Sequence, residues 1–208
     1  MMVDTQVRPS DVTKFPIIDA MLRVRREDFV PSARREAAYM SENLPLGQGR
    51  VVLDPRSFAK MLDGLDVEPS DVVLDIGSGL GYSAAVLAQL AEAVVAVEDE
   101  AAHAAESMTA LAEFGADNVA VVEAPLSEGA AKHGPYDAIL IEGGVADVPS
   151  AILEQLKEGG RIAAIFMDGA LGTCRIGHLS GGHVNWRYAF NASAPVLAGF
   201  EAASEFTF

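Results

Sequence analysis

Apolar positions along this chain fall into short unbroken runs separated by polar or Gly-containing joints. The run Val72–Ile76 (V-V-L-D-I) is rich in β-branched residues and lacks in-out alternation, which predicts a strand inside a parallel sheet covered on both faces. Residues 93–97, Val119–Glu123, 136–141 and 161–167 repeat that signature. Between the strands, helical patterns cover 57–65 (introduced by Pro55), 83–91, Ala101–Phe114 and 149–156, and an alternation of strand and helix predicts an α/β domain. Upstream, 11–24 and 32–40 look helical, while 41–55 reads as a loop rich in Gly and Pro, so that an N-terminal cap precedes the sheet. Gly159-Gly160 marks a helix-to-strand turn, and 175–179 with 186–190 read as a closing β-hairpin around Ser180-Gly181-Gly182-His183.

The joint after the first of these strands carries the densest chemistry. Gly77, Gly79 and Gly81 are open to backbone angles closed to other residues and let a ligand approach the main chain, with a helix starting behind them. The spacing is G-x-G-x-G, and glycine spacing alone discriminates weakly between cofactors. Charge decides more: Asp75 sets a carboxylate immediately before the glycines, where a pyrophosphate would be repelled. That disfavours an NAD(P) dehydrogenase and favours a cofactor with a cationic end, such as S-adenosylmethionine. Glu98, ending the second apolar run, can accept both hydroxyls of a ribose. Ligands of open α/β sheets lie beyond the carboxyl ends of the strands, which gathers Asp75, Glu98, the turn after Glu123 and Glu142-Gly143-Gly144 around one cleft. Glu142 ends the fourth strand next to where a transferred methyl group would sit, and a solvated strand end is an equal reading of it.

Composition narrows the field. A chain of 208 residues, half of them hydrophobic, fits one domain with a substantial core. Fifteen basic against thirty acidic residues leave a net charge of −15, which repels phosphate backbones and anionic lipid and makes nucleic acid and membrane unexpected partners. No apolar run reaches membrane-spanning length and the N-terminal residues hold no apolar signal core, so a cytoplasmic location is expected. Cys174 is the single cysteine and reads as a small buried hydrophobe. His103, His133, His178 and His183 lack metal-site spacing, and no metal is expected.

Taken together, these stretches resemble the protein-L-isoaspartate (D-aspartate) O-methyltransferase family over nearly the whole chain. Residues 18–31 (I-D-A-M-L-R-V-R-R-E-D-F-V-P) look like the family's N-terminal helix and its V-P-R-E-x-F-V-P, and 38–49 like its A-Y-x-D-x-x-L-P-I-G-x-G. Residues 75–82 look like its cofactor loop E-I-G-T-G-S-G-Y, Val97-Glu98 its ribose-binding acid, and 136–141 with 156–160 its F-D-x-I-x-V and Q-L-x-x-G-G. The resemblance implies a Rossmann-like class I S-adenosylmethionine-dependent methyltransferase: a mostly parallel seven-stranded sheet with helices on both faces. It further implies methyl transfer to the carboxylate of isoaspartyl residues in damaged proteins. Asp75, Gly77, Ser78, Gly79, Gly81, Tyr82, Glu98, Asp99, Pro125 and Leu126 would then bind the cofactor. The chain would divide into a cap and substrate-side loop (1–55), a cofactor-binding core (56–170) and a C-terminal hairpin region (171–208).

Two departures from the family pattern stand out. Where the family reads G-Q-T-I-S-x-P, with its serine near the substrate carboxylate, residues 49–55 read G-R-V-V-L-D-P, and Leu53 takes the serine's place. An isobutyl group cannot hydrogen-bond a carboxylate; the loss of one such bond costs on the order of 1.5–3 kcal/mol. Asp54 and Ser57 are close by but unmatched, and Arg50 reads more readily as a solvated loop charge than as a carboxylate receptor. The family's G-D-G after the third strand aligns near Ala124-Pro125-Leu126, so adenine would be held by apolar contacts or backbone. Leu53 keeps open a different carboxylate or small nucleophile as substrate, or a catalytically silent cofactor-binding homologue.

Overall fold

The computed structural model describes residues 2–202; the last six residues of the expected hairpin region 171–208 lie outside the described residues. Two short helical turns, Val3–Val7 and Arg8–Ser10, lead to α1 (Phe15–Arg23). This helix starts later than the expected 11–24, because Asp11 is left-handed (φ 68°) and a right-handed helix cannot run through it. Ser32–Ala37 forms 3₁₀ turns in place of the expected helix 32–40; none of its residues is buried, so no apolar stripe holds a longer helix to the body.

The segment expected as loop 41–55 contains a two-stranded antiparallel hairpin, β1 (Leu44–Gly47) and β2 (Arg50–Val52). Its tip turns through three left-handed residues, Gly47 (φ 100°), Gln48 (φ 51°) and Gly49 (φ 74°). Helix α2 (Pro55–Leu65) follows directly. Asp54 caps it by accepting the Ser57 N–H at 3.0 Å, and Pro55 fills the first helical position. Its buried face repeats at helical spacing through Phe58, Met61, Leu62 and Leu65.

The main sheet comprises β3 (Val72–Ile76), β4 (Ala93–Glu98), β5 (Val119–Glu123), β6 (Tyr136–Val145), β7 (Leu156–Asp168), β8 (Leu171–Ser180) and β9 (His183–Asn191), in the order β5-β4-β3-β6-β7-β8-β9. The four pairings from β5 through β7 are parallel and the two involving β8 are antiparallel; β8 alone runs against the rest. The chain leaves β3 toward β4 on one side and returns to β6 on the other, which makes the β3/β6 boundary the switch point where such sheets place their ligands.

Successive residues of the central strands feed two cores. Val73, Val94, Ala96, Ala138, Leu140, Ala163 and Ile165 pack with residues of α1, α2 and α3 (Tyr82–Leu87). Leu74, Ile76, Val95, Val97, Ile139 and Ile141 pack on the opposite face beneath Leu126, Ile152, Leu197 and Phe200. Among the described residues, the α-helix on that face is the single turn α5 (Ser150–Leu153), with the 3₁₀ turn Leu126–Glu128 packed on the same core; α5 is shorter than the expected helix because β7 already begins at Leu156. Gly159-Gly160, expected as a turn, lies within β7 where its register against β6 shifts. Helix α4 (Ala101–Phe114) spans its expected residues and ends on left-handed Gly115. Among the described residues, no helix is long and apolar enough to cross a membrane.

Candidate active site

The glycine loop hangs from β3 by backbone geometry. Gly77 (φ 83°) donates its N–H to the Val97 carbonyl at 2.8 Å, bending the loop over the tip of β4. Gly79 (φ 55°) donates to Glu98 Oε2 at 2.7 Å. The carboxyl ends of β3, β4 and β6 thereby bring Asp75, Glu98 and Glu142 together, as the sequence predicts, all three buried. Glu123, the acid ending β5, stays exposed.

The three acids differ in their partners. Asp75 Oδ2 accepts the Ser83 hydroxyl at 2.6 Å, while Oδ1 is buried without a partner. Burial raises its pKa to about 7, against the pull of Ser83 and with the Glu98 charge adding to the rise. Glu142 also keeps a buried, unpartnered Oε1. Burial, then the neighbouring Asp75, push its pKa well above the usual range while Arg26 and Arg50 oppose. Glu98 goes the other way: burial would raise it, but Arg50 and the backbone around Asp99 and Glu100 carry it below its ordinary value.

Arg50 departs most from expectation. It is only 4% exposed and grips Glu98 with both arms of its fork, Nη2 to Oε2 at 2.6 Å and Nε to Oε1 at 3.2 Å, with Asp99 3.9 Å away. The solvated-charge reading of Arg50 is therefore overturned. Glu98 is likewise no solvated strand end, for it accepts in addition the N–H groups of Gly79, Asp99 and Glu100.

Among the other expected site residues, Ser78 lies in the loop with a buried, unpartnered hydroxyl, and Asp99 is partly exposed beside Arg50. Leu126 is buried in the core opposite the cap, and Pro125 next to it is exposed. Tyr82 turns away into the cap-side core, against Phe58 and Phe29. Leu53 is 1% exposed and also belongs to that core, so its side chain presents nothing to a ligand.

Sequence reasoning passed over two residues. Ser83, the second residue of the helix behind the glycines, fixes Asp75. Arg26, fully buried, donates to the carbonyls of Ala38 (2.6 Å) and Leu53 (2.5 Å) and stacks 4.8 Å from the Tyr82 ring centroid. The available signal for Arg26 was its place between apolar Val24 and Phe29 in a stretch already matched to a family motif. A surface cavity of about 640 Å³ opens beside the segment that follows Leu53, lined by Asn43, Asp54, Arg56, Ser57, Asn191 and Ser193.

Sheet order, glycine loop and the acids at the ends of β3 and β4 define the class I methyltransferase fold. Solved structures agree: a protein-L-isoaspartate O-methyltransferase superposes with a TM-score of 0.81 at 23% identity, over 92% of this chain and 63% of its own. A putative one from Plasmodium falciparum, in complex with S-adenosyl-L-homocysteine, gives 0.79 at 17% identity over 91% of this chain and 94% of its own. The sequence profile of the protein-L-isoaspartate(D-aspartate) O-methyltransferase family matches residues 2–167, and this chain belongs to that family. A protein-L-isoaspartate O-methyltransferase of Koribacter versatilis is 37% identical over 161 residues, 77% of this chain and 72% of the relative; one of Syntrophus aciditrophicus is 39% identical over 77% and 74%.

Proposed function

We propose that this chain binds S-adenosylmethionine at the carboxyl edge of β3, β4 and β6 and methylates the carboxylate of isoaspartyl residues in damaged proteins. The observation that carries the reading is the buried trio Asp75, Glu98 and Glu142 around the glycine loop, with Asp75 Oδ1 and Glu142 Oε1 lacking partners. Such a set suits a ligand with a diol at one end and positive charge at the other. Glu98, held by three backbone N–H groups, would take the ribose hydroxyls; Asp75 and Glu142 would face the cationic end; the exposed Pro125 would meet the adenine in place of an acid, while Leu126 stays in the core beneath it.

When bound, the cofactor supplies an electrophilic methyl group. The substrate carboxylate is already anionic and needs no base, so the chain's own residues contribute alignment and exclusion of water. The polar cavity beside the segment that follows Leu53, with Arg56 on its wall, offers a peptide a place to lie. A cytoplasmic setting fits a single free cysteine in place of a disulfide framework.

Leu53, which offers no hydroxyl at the position of the family's serine, favours a second reading, a cofactor-binding homologue that has lost its carboxylate chemistry. Radiolabelled S-adenosylmethionine offered with matched isoaspartyl and aspartyl peptides separates the two. Labelling of the isoaspartyl peptide alone is the expected result; retention of the nucleoside without labelling of either peptide would establish the silent homologue.

A further inference from the structure

The β1–β2 hairpin occupies the space that the proposed cofactor needs. Arg50 is the only cation on that hairpin, and its fork takes the same two Glu98 oxygens that would otherwise accept a ribose diol. A Cβ built on Gly77 would lie 2.9 Å from Arg50 Nη1 and Nη2, and one on Gly79 would lie 2.6 Å from Leu46 Cδ1. The guanidinium and an apolar side chain of the hairpin thus rest directly on the glycine backbone, where a ligand would approach. Arg50 Nη1 finds no hydrogen-bond partner there, so the fit is that of an occupant with one donor unspent.

Resting on the cofactor reading above, we propose that Glu98 is a two-guest site: Arg50 holds it in the cofactor-free chain, and cofactor binding exchanges the guanidinium for the ribose hydroxyls as the Arg50 side chain swings out and the hairpin tip (46–49) lifts. Three features suit the exchange. Glu98 keeps its bonds from Gly79, Asp99 and Glu100 when Arg50 leaves, so the carboxylate is not stranded. The hairpin forms a sheet of its own, unpaired with the seven-stranded one; Leu44, Val51 and Val52 anchor its stem in the core, but Gly47, Gln48 and Gly49 at the tip are exposed and nothing lies within 4 Å of a Cβ built on either glycine. Charge is conserved in kind as well, since Arg50 supplies positive charge to an acidic site that a sulfonium-bearing cofactor would supply in its turn.

The test is hydrogen exchange of the full-length protein with and without S-adenosylhomocysteine, together with calorimetric titration of that nucleoside into the unaltered chain and Arg50→Gln. Faster exchange at residues 46–50 on binding, and about ten-fold tighter binding by Arg50→Gln through loss of the competing closed state, are expected. Binding by Arg50→Gln alone would also support the exchange, as a hairpin closed too firmly for the unaltered chain to open. Equal affinities with unchanged or slowed exchange would overturn it and leave the cofactor reading intact; weaker binding by Arg50→Gln would overturn it by making Arg50 a cofactor contact. No binding by either protein, with the hairpin unchanged, would sink the exchange and the cofactor reading together.

Discussion

The two ends of the glycine loop are built on opposite electrostatic terms. At the β4 end Glu98 is compensated fully, by a guanidinium fork and three backbone donors, and its pKa falls. At the β3/β6 end Asp75 and Glu142 are buried with one unpartnered oxygen each, and both pKa values rise. Burial of an acid is thus a poor guide to its state, and the partner decides it. One end resembles a closed structural ion pair, whereas the other is held short of positive charge.

The largest effect should come from breaking the compensated end. Glu98→Ala leaves Arg50 buried without its carboxylate, and stability measured by denaturant should fall by about 3–5 kcal/mol. Leu53→Ser comes next: it restores the family's residue type but sets a hydroxyl into the cap-side core, at a cost of about 3 kcal/mol. Because the Leu53 side chain points into that core, methyl transfer to an isoaspartyl peptide should not rise; a rise in the peptide assay would place the Leu53 segment in the wrong orientation.

A pH series of unfolding midpoints probes the uncompensated end. Asp75 moves from an ordinary 3.8 to about 7 on folding, so the folded state binds the extra proton between those values and stability falls as pH rises from about 4 to about 7. Glu142 acts in the same direction. Glu98, with its lowered value, stabilises above its unfolded pKa and loses that contribution as pH falls through its folded one. Asp75→Asn should flatten the decline toward pH 7 and leave the acid limb unchanged; an unaltered slope would mean that Asp75 is charged in the folded state. The smallest effect belongs to the exposed Glu123→Gln, within about 0.5 kcal/mol of stability measured by denaturant.

Much of this was legible in the sequence where a periodic signal was strong. Val72–Ile76, Ala101–Phe114 and Val119–Glu123 have the limits their patterns predict, because unbroken β-branched runs and a Gly stop leave few alternatives. The same patterning located Asp75 and Glu98 at strand ends; Glu142, expected to end the fourth strand, meets them from inside β6, which runs on to Val145 past a shift in register. The β1–β2 hairpin escaped because Pro45, Gly47 and Gly49 spell out a loop and its strands are four and three residues long. The burial of Arg50 escaped for a related reason. A charge beside glycines reads as solvated until a carboxylate from 48 residues away is seen to meet it, and no local rule encodes that meeting. Tyr82 and Leu53 were matched by position in a motif, which carries no information about the direction in which a side chain leaves the backbone.

Cys174 lies on β8 with no exposed surface, and burial pushes its thiol up to about 12. Oxidation to a sulfenic acid and exchange with disulfides both begin from an accessible thiolate, which this residue does not present. The chain has no other cysteine. In the folded state it is therefore insulated from thiol redox chemistry, and oxidants that cross-link or inactivate thiol-bearing enzymes find no sulfhydryl handle on it.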